Sequence, residues 1–506
     1  MTSPKHLDVI IIGAGLSGVG AAAHLKRQCP GHSFAILEGR AASGGTWDLF
    51  RYPGVRSDSD MYTLGYRFRP WLDAKAIADG PAILRYIRDT AHDEGLEGHI
   101  RYHHRVVRAN WSTDQGLWNV EVQIGDSPGD STVDSLNGDQ VAQTTTLTCN
   151  FLWVCSGYYN YDQGYQPAFK GSERFQGRIV HPQHWSPDID YAGKRVVVIG
   201  SGATAVTLVP SLATTAAHVT MLQRSPSYVV TLPSQDVVAN VMNRVLPHSV
   251  SYAFTRWKNV LKGMLFFYLS KRWPERIKHW IVHEAQKLLG QEFDVRKHFS
   301  PHYKPWDQRV CLVPDSDLFE AIKSGRATVV TDTIDSFTET GVRLASGDEL
   351  PADLIVTATG LDLLAFGGMD LRVDGTAVTL NEKLTYKGMM LQDVPNMAYV
   401  VGYTNASWTL KADLVSQYVC RILGHLRNTH TLACTPRLND ASVQTQDWVD
   451  FTSGYVQRAL HKFPKQGNKS PWCLHQNYIL DVMNLRYGKL EDGVLKFSGQ
   501  TAQSKS

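Results

Sequence analysis

Two glycine turns, each following an apolar run, set the chemistry open to this chain. Gly13-Ala14-Gly15-Leu16-Ser17-Gly18 follows Val9-Ile10-Ile11-Ile12, and Gly200-Ser201-Gly202-Ala203-Thr204-Ala205 follows Val196-Val197-Val198-Ile199. Glycine there lets backbone N–H groups approach a pyrophosphate at the N-terminus of the next helix, where the helix dipole also favours negative charge. One such turn is weak evidence, because glycine-rich loops are common. Here a strand precedes the first turn, and Glu38 ends the following strand where it can hold a ribose hydroxyl. Gly13, Gly15, Gly18 and Glu38 are therefore expected to bind one dinucleotide, and Gly200 and Gly202 a second. Two dinucleotide sites imply two cofactors that exchange electrons, hence a redox enzyme.

The second site differs where the first has its acid. After the strand Val219–Leu222 come Gln223 and Arg224. An arginine suits a 2′-phosphate, so this site reads as NADPH-selective; the alternative is an ordinary surface arginine.

The elements that must position these residues repeat one plan. Residues 8–38 read as strand, glycine turn, helix and strand. Residues 105–157 alternate apolar and polar positions as a β-meander, interrupted by a Gly/Ser/Asp/Thr-rich loop over 125–146. A second βαβ unit spans 194–224. A hairpin follows, with one arm at 342–345, a turn at 346–348 and the other at 353–360. The segment 235–300 reads as helical, with Phe254, Trp257, Leu261, Met264, Leu265, Tyr268 and Leu269 at helical spacing. The expected fold is α/β: two Rossmann-like dinucleotide-binding domains with a helical insertion in the second. The expected boundaries are 1–160 with 361–506 for an FAD domain, 161–230 with 301–360 for an NADPH domain, and 231–300 for the insertion.

At 506 residues the chain can bury two or three domain cores, and its 43% apolar and 20% charged composition is that of a soluble protein. A net charge of +3 is too small to argue for nucleic acid. Only five residues precede the first strand, which leaves no room for a signal peptide. No apolar stretch approaches the roughly 20 residues a bilayer span needs. The seven cysteines are scattered and show no C-x-x-C pair, which argues for a reducing, cytoplasmic setting and against zinc ribbons; no metal site is expected.

Between the glycine turns lies Phe175-Gln-Gly177-Arg-Ile-Val-His181-Pro-Gln-His-Trp185, and before it Gly44-Gly-Thr-Trp-Asp-Leu-Phe-Arg-Tyr-Pro-Gly54 and Asp58. With Ala358-Thr359-Gly360, these motifs resemble those of the type I Baeyer–Villiger monooxygenases over almost the whole chain. The likeness is closest to the ethionamide-activating subgroup, through Arg56–Tyr62, Pro301–Arg309, Pro464–Gly467 and Ser470–Trp472. The fingerprint departs from the family at its end, where Ser186 stands in place of Pro or Asp. The resemblance implies FAD and NADPH as cofactors, with Gly45, Thr46, Trp47, Asp58 and Gly360 among the cofactor-binding residues. It implies O₂ and a small apolar ketone or thioether as substrates, and ketone conversion to an ester or lactone through a flavin peroxide. It places Arg309 as the stabiliser of developing negative charge and Asp58 as its partner carboxylate. The alternative reading of Asp58 is an N-cap for a helix at Met61. His181 belongs in the family to a domain-linking segment, against its reading as a general base; Trp185 either moves with that segment or packs into a core. Many relatives carry lysine where this chain has Gln308, which throws the 2′-phosphate more onto Arg224.

Three other readings stay open: a flavin monooxygenase acting on heteroatoms or long alkyl chains, a disulfide reductase (against which stands the missing cysteine pair), and a flavin-binding sensor without turnover. The basic, aromatic insertion, with Lys258, Lys262, Lys271, Arg272, Trp257 and Trp273, reads first as a lid or channel wall. Its alternative is peripheral contact with an anionic membrane.

Overall fold

The computed structural model describes residues 5–125 and 143–500. The first apolar run forms strand β1 (His6–Ile12), the turn leads into helix α1 (Leu16–Gln28), and β2 (Phe34–Leu37) returns parallel to β1, with Ile11 opposite Ile36. The chain adds β3 (Ile100–Arg101) and the meander β4 (His104–Ser112), β5 (Leu117–Ile124) and β6 (Gln143–Val154). Strand β6 is the shared spine. Its first half pairs antiparallel with β5 and its second half parallel with β1, Ile10 lying opposite Leu152. The expected loop over 125–146 is thus shorter than its composition suggests: Gln143–Thr146 already belong to β6, and 126–142 lie outside the described residues.

Side chains alternate across β1. Val9 and Ile11 face α1 and a long C-terminal helix (Trp408–Asn428), whereas Ile10 and Ile12 face the meander, whose Trp111 and Trp118 rings meet edge-on at 5.7 Å. A strand buried on both faces must be apolar at successive positions, which is why the run is uninterrupted.

The second unit is a five-stranded parallel sheet. Its strands are β7 (Arg178–Val180), β8 (Arg195–Ile199), β9 (His218–Gln223), β10 (Ala327–Thr331) and β11 (Leu354–Thr357), in the order β10-β9-β8-β11-β7. The expected hairpin is corrected here. Gly341–Leu344 pairs with Glu349–Pro351, while Leu354–Thr357, buried at every position, leaves the hairpin for the sheet between β8 and β7.

Two connecting segments join the units side by side. Asn160 N–H donates to Asp362, Leu364 N–H to Tyr158 and Tyr165 N–H to Gly360, so the outgoing and returning chains form a paired ribbon.

The insertion comprises α2 (Val237–Val245), α3 (His248–Arg272), α4 (Pro274–Leu289) and α5 (Val295–Phe299). It interrupts the second unit in sequence but docks on both. Ala285, Leu289, Val295 and Phe299 enter the second core. Arg256 is buried in the first unit, donating to the carbonyls of Tyr62, Thr63 and Gly65 and to Asp413 at 3.2 Å. All seven cysteines are free thiols, and among the described residues no helix is long and apolar enough to cross a membrane.

Candidate active site

The first glycine turn is built to leave backbone exposed to a ligand. Gly13 adopts φ +98°, and a Cβ there would sit 2.8 Å from the Cys155 carbonyl oxygen; one on Gly18 would lie 1.8 Å from the Gly13 oxygen. Only glycine allows both the turn and the close packing of α1 behind it. No side chain caps the N-terminus of α1 at Gly15, so its first-turn N–H groups are not taken up there by a capping residue. The Gly44-Gly45 motif pairs directly with this turn, Gly15 bridging to Gly44, and a Cβ on Gly45 would lie 3.0 Å from the Gly15 Cα. Glu38 closes the site from beneath: its carboxylate accepts the Ala14 N–H at 2.7 Å and the Arg40 N–H at 3.1 Å. Burial pushes its pKa up, against those two hydrogen bonds and the Arg40 charge. Gly13, Gly15, Glu38, Arg40 and Gly45 line an open cleft with His104, Arg105, Tyr159 and Phe366. Thr46 reaches the cleft through Tyr161, the two hydroxyls lying 3.2 Å apart, and Trp47 packs against the first core. The uncapped helix, the glycine cradle and the buried carboxylate fit the pyrophosphate and ribose of a dinucleotide.

The second turn repeats the device. Gly200 has φ +145°, a Cβ there would lie 2.3 Å from the Ala358 oxygen, and Gly202 opens a helix (Ala203–Leu212) with no side-chain cap and open space around it. Gln223 is buried, donating to His298 and Thr331, whereas Arg224 is exposed beside the turn. The geometry fits a second dinucleotide, with an exposed guanidinium where an acid would otherwise meet the ribose.

Each residue of the intervening motif has a physical job. Phe175 is buried in a small core of the second unit, and a Cβ on Gly177 would lie 2.5 Å from the Asp353 oxygen. Gln183 N–H donates to His181 Nδ1 at 3.2 Å, so the proton of the neutral ring is on Nε2, which donates to the Gly360 carbonyl at 3.2 Å. With both nitrogens engaged and burial lowering its pKa, His181 ties the motif to the returning connector rather than offering a base. Trp185 packs edge-on against Tyr191 at 6.0 Å.

Between the two turns, Arg309 and Asp58 form an ion pair at 2.5 Å. Asp58 is not the cap of the helix Met61–Leu64: Asp60 accepts the Thr63 N–H in that role, which leaves Asp58 free. The pair looks both ways. Two residues on, the Cys311 thiol faces the Ser201 carbonyl in the second turn, while the Arg309 charge acts on Tyr159 in the first cleft. The Asp58 charge raises the Arg309 pKa further against desolvation, so the guanidinium is charged at every working pH. About a third of each side chain remains accessible, 34% for Arg309 and 37% for Asp58, so a bound molecule can reach them.

The sequence reasoning missed the aromatic wall around this pair. Tyr52, pushed up to about 12 by burial, and Tyr158, Tyr159 and Tyr455, also raised by burial, hold neutral hydroxyls around the two charges. Arg458 stacks 3.4 Å over Tyr165 beside Gly360. For Tyr158 and Tyr159 the available signal was the run Tyr158-Tyr159-Asn160-Tyr161, with three residues between it and the end of β6.

Two glycine cradles facing a shared charged junction define a flavin-dependent oxidoreductase. The chain belongs to the flavin-binding monooxygenase-like family, whose model matches residues 79–429, and an NAD(P)-binding Rossmann-like domain model matches 11–72. It is a flavoprotein monooxygenase. It is 54% identical over 499 residues to the FAD-containing monooxygenase EthA of Mycobacterium tuberculosis, covering 98% of this chain and 99% of that one. In fold it is similar to OTEMO in complex with FAD and NADP (20% identity, TM-score 0.73, 97% of this chain and 99% of that one). It is likewise similar to cyclohexanone monooxygenase from Rhodococcus sp. Phi1 bound to NADP⁺ (20% identity, TM-score 0.69, 86% and 87%).

Proposed function

We propose that this protein is a Baeyer–Villiger monooxygenase that uses FAD and NADPH to convert apolar ketones to esters or lactones, and that it oxidises thioethers in the same site. The observation that carries this reading is the Arg309–Asp58 pair, a permanent positive charge held by a carboxylate between two dinucleotide cradles. Bound FAD, reduced by NADPH, supplies the activation of dioxygen. In this reading the FAD unit comprises 1–160 and 361–506, the NADPH unit 161–230 and 301–360, and the insertion 231–300. Gly13, Gly15, Gly18, Glu38, Gly45, Thr46 and Trp47 hold FAD, and Gly200, Gly202 and Arg224 hold NADPH.

Oxygen insertion into a ketone places negative charge on oxygen before any proton arrives. A guanidinium fixed in advance stabilises that charge without reorganising, which is the most effective form of such help. Asp58 orients Arg309, and the half-buried tyrosines around the pair limit the water that competes for its donors. His181 and Gly360 act on the relative placement of the two cradles.

Mass spectrometry of the products formed from a medium-chain 2-alkanone, FAD, NADPH and air tests the reading. An ester one oxygen heavier than the ketone supports it. Unchanged or hydroxylated ketone with NADPH consumed overturns it in favour of heteroatom or alkyl-chain oxidation, the second reading, which rests on Ser186 at the motif's end.

A further inference from the structure

Helix α3 is apolar on more than one face: it buries Tyr252 and Val260, yet a second row of large apolar side chains stands in solvent. Its buried residues include Ser251, Thr255, Arg256 and Ser270, whereas Val250, Phe254, Trp257, Leu261, Leu265 and Tyr268 stand 41–61% exposed. Steps of three and four residues align these six in one outward stripe, about 27 Å long at 1.5 Å per residue. Helix α2 packs beside α3 and widens the stripe with Val237, Val241 and Val245, each more than half exposed. On the other flank Trp257 lies 5.6 Å from the Tyr478 ring, and the following turn exposes Met483 and Tyr487. An apolar surface of this extent marks a binding face.

The unpaired charges on this face are basic; Asp236, which caps α2, is already paired with Lys258 at 2.6 Å. From Val237 to Pro274 there is no Asp or Glu. Arg244 and Lys262 are exposed with no acidic partner among the described residues, and Arg272 lies 5.8 Å over the exposed Trp273 ring. An exposed, aromatic, cation-flanked stripe suits an apolar surface bordered by anions, whereas a second copy would bring like charges together. No described helix can cross a bilayer. We infer that α2 and α3 dock on the surface of a membrane containing anionic lipids, with the stripe sunk into the headgroup boundary and Arg244 and Lys262 against lipid phosphates.

The full-length FAD-loaded protein is floated with vesicles of phosphatidylcholine, alone or mixed with phosphatidylglycerol. The expected result is coflotation with the mixed vesicles at low salt, about tenfold weaker on phosphatidylcholine alone, weakened by high salt. A similar tenfold loss is expected for the double variant Leu261→Asp/Leu265→Asp. Both positions are solvent-facing, so its NADPH oxidation rate should match wild type and report an intact fold. Absence of flotation at low salt, or equal flotation of the double variant, overturns the inference. So does a concentration-dependent dimer that the variant abolishes without any vesicle binding.

Discussion

Asp58 and Arg309 come from opposite halves of the chain and meet at 2.5 Å between the two glycine turns. Because the charge belongs to Arg309 and its placement to Asp58, the two should fail differently. Arg309→Ala is expected to lower kcat for ester formation about 100-fold or more. Arg309→Lys should recover only part, since an ammonium lacks the planar fork. Asp58→Ala should cost less, roughly tenfold, through lost orientation. Ester formed per NADPH consumed is the measurement; wild-type yield from Arg309→Ala would remove that residue from the chemistry.

Arg224 is exposed at the position where an acid would meet a ribose. Loss of one charge-assisted contact is worth about 1.5–3 kcal/mol, so Arg224→Ala should raise KM for NADPH about tenfold or more and leave NADH nearly untouched. Steady-state kinetics with both nucleotides decide it. An unchanged preference for NADPH would shift the 2′-phosphate elsewhere.

Burial lowers the His181 pKa, against the hydrogen bond to Gly360 and with help from His184. A histidine whose folded value lies below its unfolded value of about 6.5 contributes fully above that pH. Below it the unfolded chain binds the proton more readily, and the contribution is lost as the pH falls. Tm should therefore decline from neutral to mildly acidic pH, and His181→Gln should decline less steeply over the same range. Parallel melting curves for the two proteins would show that another group titrates.

Burial alone would raise the Asp413 carboxyl; the His24 hydrogen bond and the Arg256 charge outweigh it and hold it below the usual carboxylate range. Arg256→Met removes one of those partners and leaves three backbone carbonyls without their guanidinium donor. Breaking a buried pair in this way costs about 3–5 kcal/mol. Urea unfolding should show the loss; a change below about 1 kcal/mol would mean that water replaces the arginine.

What the sequence made legible was local. Each glycine turn is written within about ten residues, because strand, turn and helix dictate one another over that distance. The Asp58–Arg309 pairing is not local, and spacing alone left Asp58 as a possible helix cap until Asp60 was seen to take that place. The hairpin is shorter than expected because turn residues at 346–348 show where a chain reverses and not how far its return arm stays paired. The unbroken apolar run Leu354–Val356 was the better guide to a central parallel strand. Helical periodicity located the stripe on α3 without telling which side faces inward. Apolar residues lie on both sides there, Tyr252 and Val260 buried with Arg256 while Trp257 faces outward.

The paired connectors have a mechanical consequence. A single strand between two bodies lets them swivel in any direction; two strands laced by Asn160–Asp362, Leu364–Tyr158 and Tyr165–Gly360 form a strap. A strap folds easily across its flat face and resists shear within its own plane. The strap therefore favours bending over sliding where the two units join, and His181, hydrogen-bonded to Gly360 at the strap's edge, sits where such bending is felt.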